Sequence, residues 1–128
     1  MEKMKVLLIE PMEQPRVVEI DHTLGELQRL VGGCIAATYP WDEDYVALVC
    51  NDNGIAEGLQ PNRMLEDYDI ILGSFFICGL GEEDFTSIPD ELIEKYTEKF
   101  RWPELFLRDE DGIQCLRLTD SGIEVHPF

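Results

Sequence analysis

Short apolar runs, each closed off by turn-forming residues, recur along the whole chain and leave little room for long helices. Residues 5–9, 16–20, 34–39 and 45–50 each read as a strand. Pro11 and Pro15 bracket a turn between the first pair, and Pro40 with the acidic stretch 41–44 separates the second. Turns this short imply antiparallel hairpins. Asn51-Asp52-Asn53-Gly54 is turn chemistry in which Asn and Gly tolerate positive φ. Residues 68–72 and 74–78 form the most apolar stretch, interrupted by Gly73, which marks a bulge or a close backbone approach. Residues 55–64 carry Gly58 and Pro61 and read as an irregular excursion with a helical turn after Pro61, placing Asn62 and Arg63 in a loop.

Two helices interrupt the strand pattern. Thr23-Leu24-Gly25-Glu26 is a capping box, in which the Thr23 hydroxyl accepts from the Glu26 amide while the Glu26 side chain reaches back. Leu24, Leu27, Leu30 and Val31 follow at helical spacing, and Gly32-Gly33 supplies a left-handed stop. A strand, this helix and another strand imply a crossover connection. Ser87-Ile88-Pro89-Asp90 reads as a second cap, after which Leu92, Ile93, Tyr96 and Phe100 share one face and Pro103 ends the helix. Residues 105–107, 113–118 and 123–125, with a turn at 109–112, read as a β meander. The class expected is α+β: a mostly antiparallel sheet of about six to eight strands, two capped helices and a C-terminal β-hairpin or meander addition. At 128 residues the chain suits a single domain, 1–128, with the addition at about 103–126.

Charge limits function more than it limits fold. Ten Lys and Arg against 27 Asp and Glu give a formal net charge of −17. Direct binding to nucleic acid or to an anionic membrane surface is disfavoured, because both require clustered cations. Three readings of the acidity stay open: solubility, attraction to a basic partner, or carboxylates displayed where a partner expects phosphates.

Cys34, Cys50, Cys78 and Cys115 form no C-x-x-C pair and each sits in an apolar run, as expected of buried, reduced thiols in a cytoplasmic protein without a signal peptide. His22 and His126 lack partners at metal-ligand spacing, so no metal or cofactor is expected. No nucleophile, base or phosphate-loop motif is recognisable, which places an enzyme behind a binding protein.

Several segments taken together resemble a known family. Residues 15–21, Thr23-Leu24, Leu27-Gln28 and residues 30–35 are followed by residues 47–51, Gly54, Leu59, Pro61-Asn62-Arg63, residues 69–71 and residues 73–79. In order and spacing they resemble the domain-of-unknown-function family 3846, over about residues 4–100. That family comprises small proteins of bacteriophages, plasmids and conjugative elements of Firmicutes. The resemblance implies a mobile-element accessory protein with a possible host-protein partner, and no reaction.

Two sets of residues are candidates for contact with something else. Asn51, Asp52, Asn62 and Arg63 combine planar, multi-donor groups that could hold a small nucleotide-like ligand, though Arg63 could equally close a salt bridge with Glu66 or Asp67. Glu82, Glu83, Asp84, Asp90, Glu91, Glu94 and Glu98 fall along one loop-to-helix segment as an acidic interaction surface, with Lys95 and Lys99 interleaved as helix-surface pairs. An array of that kind could also imitate DNA as an antirestriction-type inhibitor.

Overall fold

The computed structural model of the chain describes residues 2–127. Its elements run β1 (Lys3–Ile9), β2 (Arg16–Asp21), α1 (Leu24–Val31), β3 (Ile35–Thr38), β4 (Val46–Asn51), β5 (Pro61–Leu65), β6 (Asp69–Leu72) and β7 (Phe75–Leu80). They continue with β8 (Phe85–Thr86), α2 (Asp90–Lys99), β9 (Glu104–Asp109), β10 (Gly112–Thr119) and β11 (Gly122–Pro127). The class is α+β, and every strand pairing among the described residues is antiparallel.

The main sheet has the order β2-β1-β7-β4-β3, with β8 added on β7. The β1–β2 and β3–β4 hairpins form where the short turns place them. Because β2 and β3 occupy opposite edges and run the same way, the connection through α1 crosses the three strands between them. Apolar residues fill both faces of the central strands. Leu7, Ile9, Leu48, Phe75 and Ile77 face one side, while Val6, Leu8, Val49, Phe76 and Cys78 face the other. That two-sided burial is why these strands read as unbroken apolar runs. Leu27 of α1 packs on the second face. Tyr96 and Phe100, with Leu65 and Ile71 of the β5–β6 hairpin, cover the first. Trp41 joins them, its ring centroid 4.6 Å from that of Tyr96.

The cap of α1 forms in half. The Glu26 amide donates to Thr23 Oγ1 at 3.2 Å, and Gly32 closes the helix at φ 77°. The Glu26 carboxylate, however, pairs with Arg29 instead of reaching back. The expected cap of α2 is replaced altogether. Pro89 stands at the N-cap with no side-chain bond, and Ser87 Oγ instead accepts from the Lys5 amide at 2.9 Å, fastening the segment before α2 to β1.

The largest departure is β5. Residues 61–65 are a strand paired with β6, not a loop with a helical turn. Register slips between Pro61 and Arg63, so Asn62 is a bulge residue. Gly73, at φ 77°, is a turning point between β6 and the main sheet. A Cβ there would lie 2.7 Å from Leu59 Cδ1 and push that side chain aside, and the left-handed φ itself favours glycine.

The C-terminal meander has the order β11-β10-β9. All four thiols are free, and Cys34, expected inside, is exposed at the entry to β3. Burial pushes Cys78 and Cys115 up to about 12, so both behave as apolar filling. Among the described residues no helix is long and apolar enough to cross a membrane.

Candidate functional site

The four residues expected to form one ligand-binding constellation from two loops are engaged in two separate places. Asn51, at the end of β4, donates from Nδ2 to the Val31 carbonyl at 3.1 Å and to Glu57 Oε2 at 2.9 Å. Its Oδ1 accepts from the Asn53 amide at 2.7 Å, an Asx turn that sets the path after β4. Asp52 is exposed beside it. Asn62 is fully buried and bridges two elements, donating from Nδ2 to the carbonyls of Ile9 and Gly73, each at 2.9 Å.

Arg63 is 1% exposed. Its Nε donates to the Phe100 carbonyl at 3.1 Å, Nη1 to Asn62 Oδ1 at 2.8 Å, and Nη2 to the Glu13 carbonyl at 2.6 Å. It makes no salt bridge with Glu66 or Asp67; Glu66 pairs with Lys99 instead. Burial pulls the guanidinium down to about 10, with Glu104 nearby pulling the other way, and it stays charged at neutral pH. The sequence could not reveal this role, because a buried arginine satisfied by carbonyls and a ligand-binding arginine have the same local pattern.

Around Arg63 lies a polar pocket of about 420 Å³, lined also by Lys99, Arg117, Glu66, Asp67 and Glu104. Most of its charges are matched internally. Glu104, 4% exposed, accepts from the Met64 amide at 2.7 Å through Oε1 and from Arg117 Nε at 2.9 Å through Oε2. Lys99 Nζ meets Glu66 Oε1 at 2.7 Å, and Trp41 Nε1 donates to the same oxygen at 2.7 Å. These contacts join β5, the end of α2 and the meander, a structural task that accounts for Lys99, Arg117, Glu66 and Glu104.

The acidic segment stands outside. All seven of Glu82, Glu83, Asp84, Asp90, Glu91, Glu94 and Glu98 are exposed. Asp90 pairs with Lys5, Glu98 with Arg101, and Asp84 Oδ2 lies 3.3 Å from His22 Nε2 without hydrogen-bond alignment. Glu82, Glu83, Glu91 and Glu94 have no ion pair among the described residues. Glu91, Glu94 and Glu98 recur at i, i+3 and i+7, a single stripe on the side of α2 away from buried Tyr96. Lys95 and Lys99 do not neutralise that stripe. Lys95 Nζ turns to Asp44 at 2.6 Å and Lys99 to Glu66. Tyr96 adds its hydroxyl to Asp44 at 2.6 Å, and both contacts hold that carboxyl below its ordinary value.

One further surface had no signal in the reading of motifs. A groove of about 540 Å³ runs between the turn after β4 and strand β6, and it adjoins a second hollow of about 470 Å³ that reaches the meander. Ile55 (87% exposed) and Tyr68 (61% exposed) line both hollows. Two large apolar side chains displayed in turns were the only available cue.

No three histidine, cysteine or carboxylate side chains are grouped to hold a metal ion among the described residues. What remains is an acidic α+β domain whose buried polar groups serve the fold and whose Glu82, Glu83, Glu91 and Glu94 carry no ion pair among the described residues. A family model, described as "Domain of unknown function (DUF3846)", matches residues 4–101, most of the chain. The chain belongs to that family, and the meander lies beyond the matched span. Neither the curated proteins nor the solved structures contain a match.

Proposed function

We propose that the chain is a non-enzymatic, cytoplasmic binding protein of a phage or conjugative element that occupies a basic face of a host protein. The contact surface is the segment holding Glu82, Glu83, Asp84, Asp90, Glu91, Glu94 and Glu98. One observation carries this reading: the two lysines interleaved on α2 are drawn aside to Asp44 and Glu66, leaving Glu91 and Glu94 un-neutralised while Glu98 is met only by Arg101 beyond the helix. Ordinary solubility does not require a stripe cleared of its own cations. A small-ligand role for Asn51, Asp52, Asn62 and Arg63 has less support, since Arg63 directs its donors to backbone and to Asn62.

The same stripe favours a specific form of the proposal, in which the host protein is one that binds DNA. A duplex presents a charge about every 1.7 Å of axis, and carboxylates in rows can occupy the cationic groove that reads it. The test compares the immobilised chain with its Glu82→Gln/Glu83→Gln/Glu91→Gln/Glu94→Gln variant in host lysate. A basic protein held by the wild type should be released as salt shortens the Debye length from about 10 to about 3 Å, and should not be held by the variant. Equal retention by both, or retention indifferent to salt, defeats the proposal. A captured protein without DNA-binding activity defeats only its DNA-mimic form.

A further inference from the structure

Strand β6 has one partner among the described residues. Its pairing with β5 alternates, and two amides report the outward-facing positions. Met64, opposite Ile70, directs its amide away from β6 to Glu104 at 2.7 Å, where β9 covers the edge of β5. Ile70 directs its amide away from β5, and that amide meets only the Oδ1 of its own neighbour Asp69, at 2.8 Å. One side of the hairpin is therefore closed by the meander, while the other has no strand partner among the described residues, Gly54 lying against its Leu72 end and Asp69 against the Ile70 amide.

That edge borders the groove. Successive residues from Tyr68 to Leu72 line it, as they must when a strand presents its backbone edge and not one face. Leu48, Leu65 and Ile71 form an apolar floor, and Ile55 rises opposite. Two carboxylates belong to the rim, Asp52 and Asp69, neither of them ion-paired among the described residues. Burial raises the Cys50 thiol in the groove, and Asp69 and then Asp52 raise it further, so both negative charges bear on the groove interior. Eight of the chain's ten Lys and Arg are tied to carboxylates. Arg63 is buried, which leaves Arg108, at the far end of the adjoining hollow, as the one exposed cation without an ion pair among the described residues.

We propose that this groove binds an extended segment of a partner protein that adds as a strand to β6, with alternate apolar side chains facing the floor and Lys or Arg between them meeting Asp52 and Asp69. A backbone edge without a strand partner supplies affinity once the incoming carbonyl takes the Ile70 amide from Asp69, and the apolar floor beside two carboxylates supplies the choice of sequence. A purely apolar segment would leave both carboxylates uncompensated at a desolvated contact, and an acidic one would be repelled. The surface lies on the hairpin, apart from the carboxylate stripe of α2, and this inference stands or falls independently of the reading given for that stripe.

The test uses the full chain and a fluorescein-labelled, end-capped peptide of alternating Lys and Val, with a block peptide of the same composition as control, read by fluorescence anisotropy at fixed salt. The alternating peptide should bind at least about tenfold more tightly than the block peptide. Ile55→Ser and Tyr68→Ser, both at exposed positions, should weaken it by about tenfold. Ile70→Pro should abolish binding, because it removes an amide that β5 does not use; circular dichroism and melting of that variant show whether it folds. If it does not fold, hydrogen exchange on the wild type replaces it, and the Ile70 amide should slow when the alternating peptide is added. The quadruple Gln variant of the α2 face should keep the same preference for the alternating peptide. Equal binding of the two peptides, loss with the α2 variant but not with the groove variants, or unchanged Ile70 exchange each overturns the proposal. So does a concentration-dependent dimer of the wild type that Ile55→Ser abolishes, since the edge would then belong to a second copy.

Discussion

Replacing Arg63 by Met keeps a side chain of similar length while deleting the guanidinium. Three short anchors go with it, the Phe100 carbonyl at 3.1 Å, Asn62 Oδ1 at 2.8 Å and the Glu13 carbonyl at 2.6 Å, together with a longer bond to the Asn62 carbonyl at 3.3 Å. No carboxylate is orphaned, because Glu104 keeps Arg117 at 2.8 Å. The cost is thus that of buried acceptors losing donors, at about 1 kcal/mol each, or about 3 kcal/mol in all. For a chain of 128 residues that corresponds to a fall in Tm of about 11 °C. Urea denaturation followed by the fluorescence of Trp41, which is 8% exposed and packed on Tyr96, measures it. Arg63→Lys should lose nearly as much, since one ammonium cannot reach three acceptors placed for a planar fork. A loss below about 1 kcal/mol for Arg63→Met would refute the structural role assigned to this residue.

Gly79→Ala should destabilise by about 1–3 kcal/mol, since the new Cβ would lie 2.4 Å from the Ser87 carbonyl oxygen; Gly25→Ala, with nothing within 4 Å, should instead stabilise α1 by about 0.5–1 kcal/mol. Thr23→Ala should cost about 1 kcal/mol in denaturant unfolding, whereas Glu26→Ala should cost under about 0.5 kcal/mol because its carboxylate makes only the exposed pair with Arg29. Lys99 and then Trp41 hold the Glu66 carboxyl below its ordinary value, so its stabilisation is complete above that value, near pH 4.3, and is lost as pH falls through the lower folded value. The gap in Tm between wild type and Glu66→Gln should accordingly shrink on going from pH 7 to pH 3, and an unchanged gap would contradict the assignment.

Most strands were legible because burial on two faces writes an unbroken apolar run, as in residues 5–9 and 74–78. The face of α2 was legible because Leu92, Ile93, Tyr96 and Phe100 repeat at helical spacing. Strand β5 was not, since Pro61 opens it, Asn62 bulges and Arg63 is buried, and each of those residue types argues for a loop. Ser87 looked like a cap until the fold brought the Lys5 amide to it from 82 residues away. The same long range hid the fate of the candidate residues. Which carbonyls would receive Asn62 and Arg63 depends on Ile9, Glu13, Gly73 and Phe100 arriving from four other segments. Composition foretold an acidic exterior, but only the positions of Asp44 and Glu66 determine that Lys95 and Lys99 turn away from Glu91 and Glu94 on the α2 stripe.

Carboxyl footprinting of the chain with and without its captured host protein tests the binding account most directly. Carbodiimide labelling read by mass spectrometry should slow at Glu82, Glu83, Glu91 and Glu94 in the complex, while Asp109, Glu110 and Asp111 on the meander turn label as before. Unchanged labelling of those four glutamates in a complex that shields other carboxylates would contradict it.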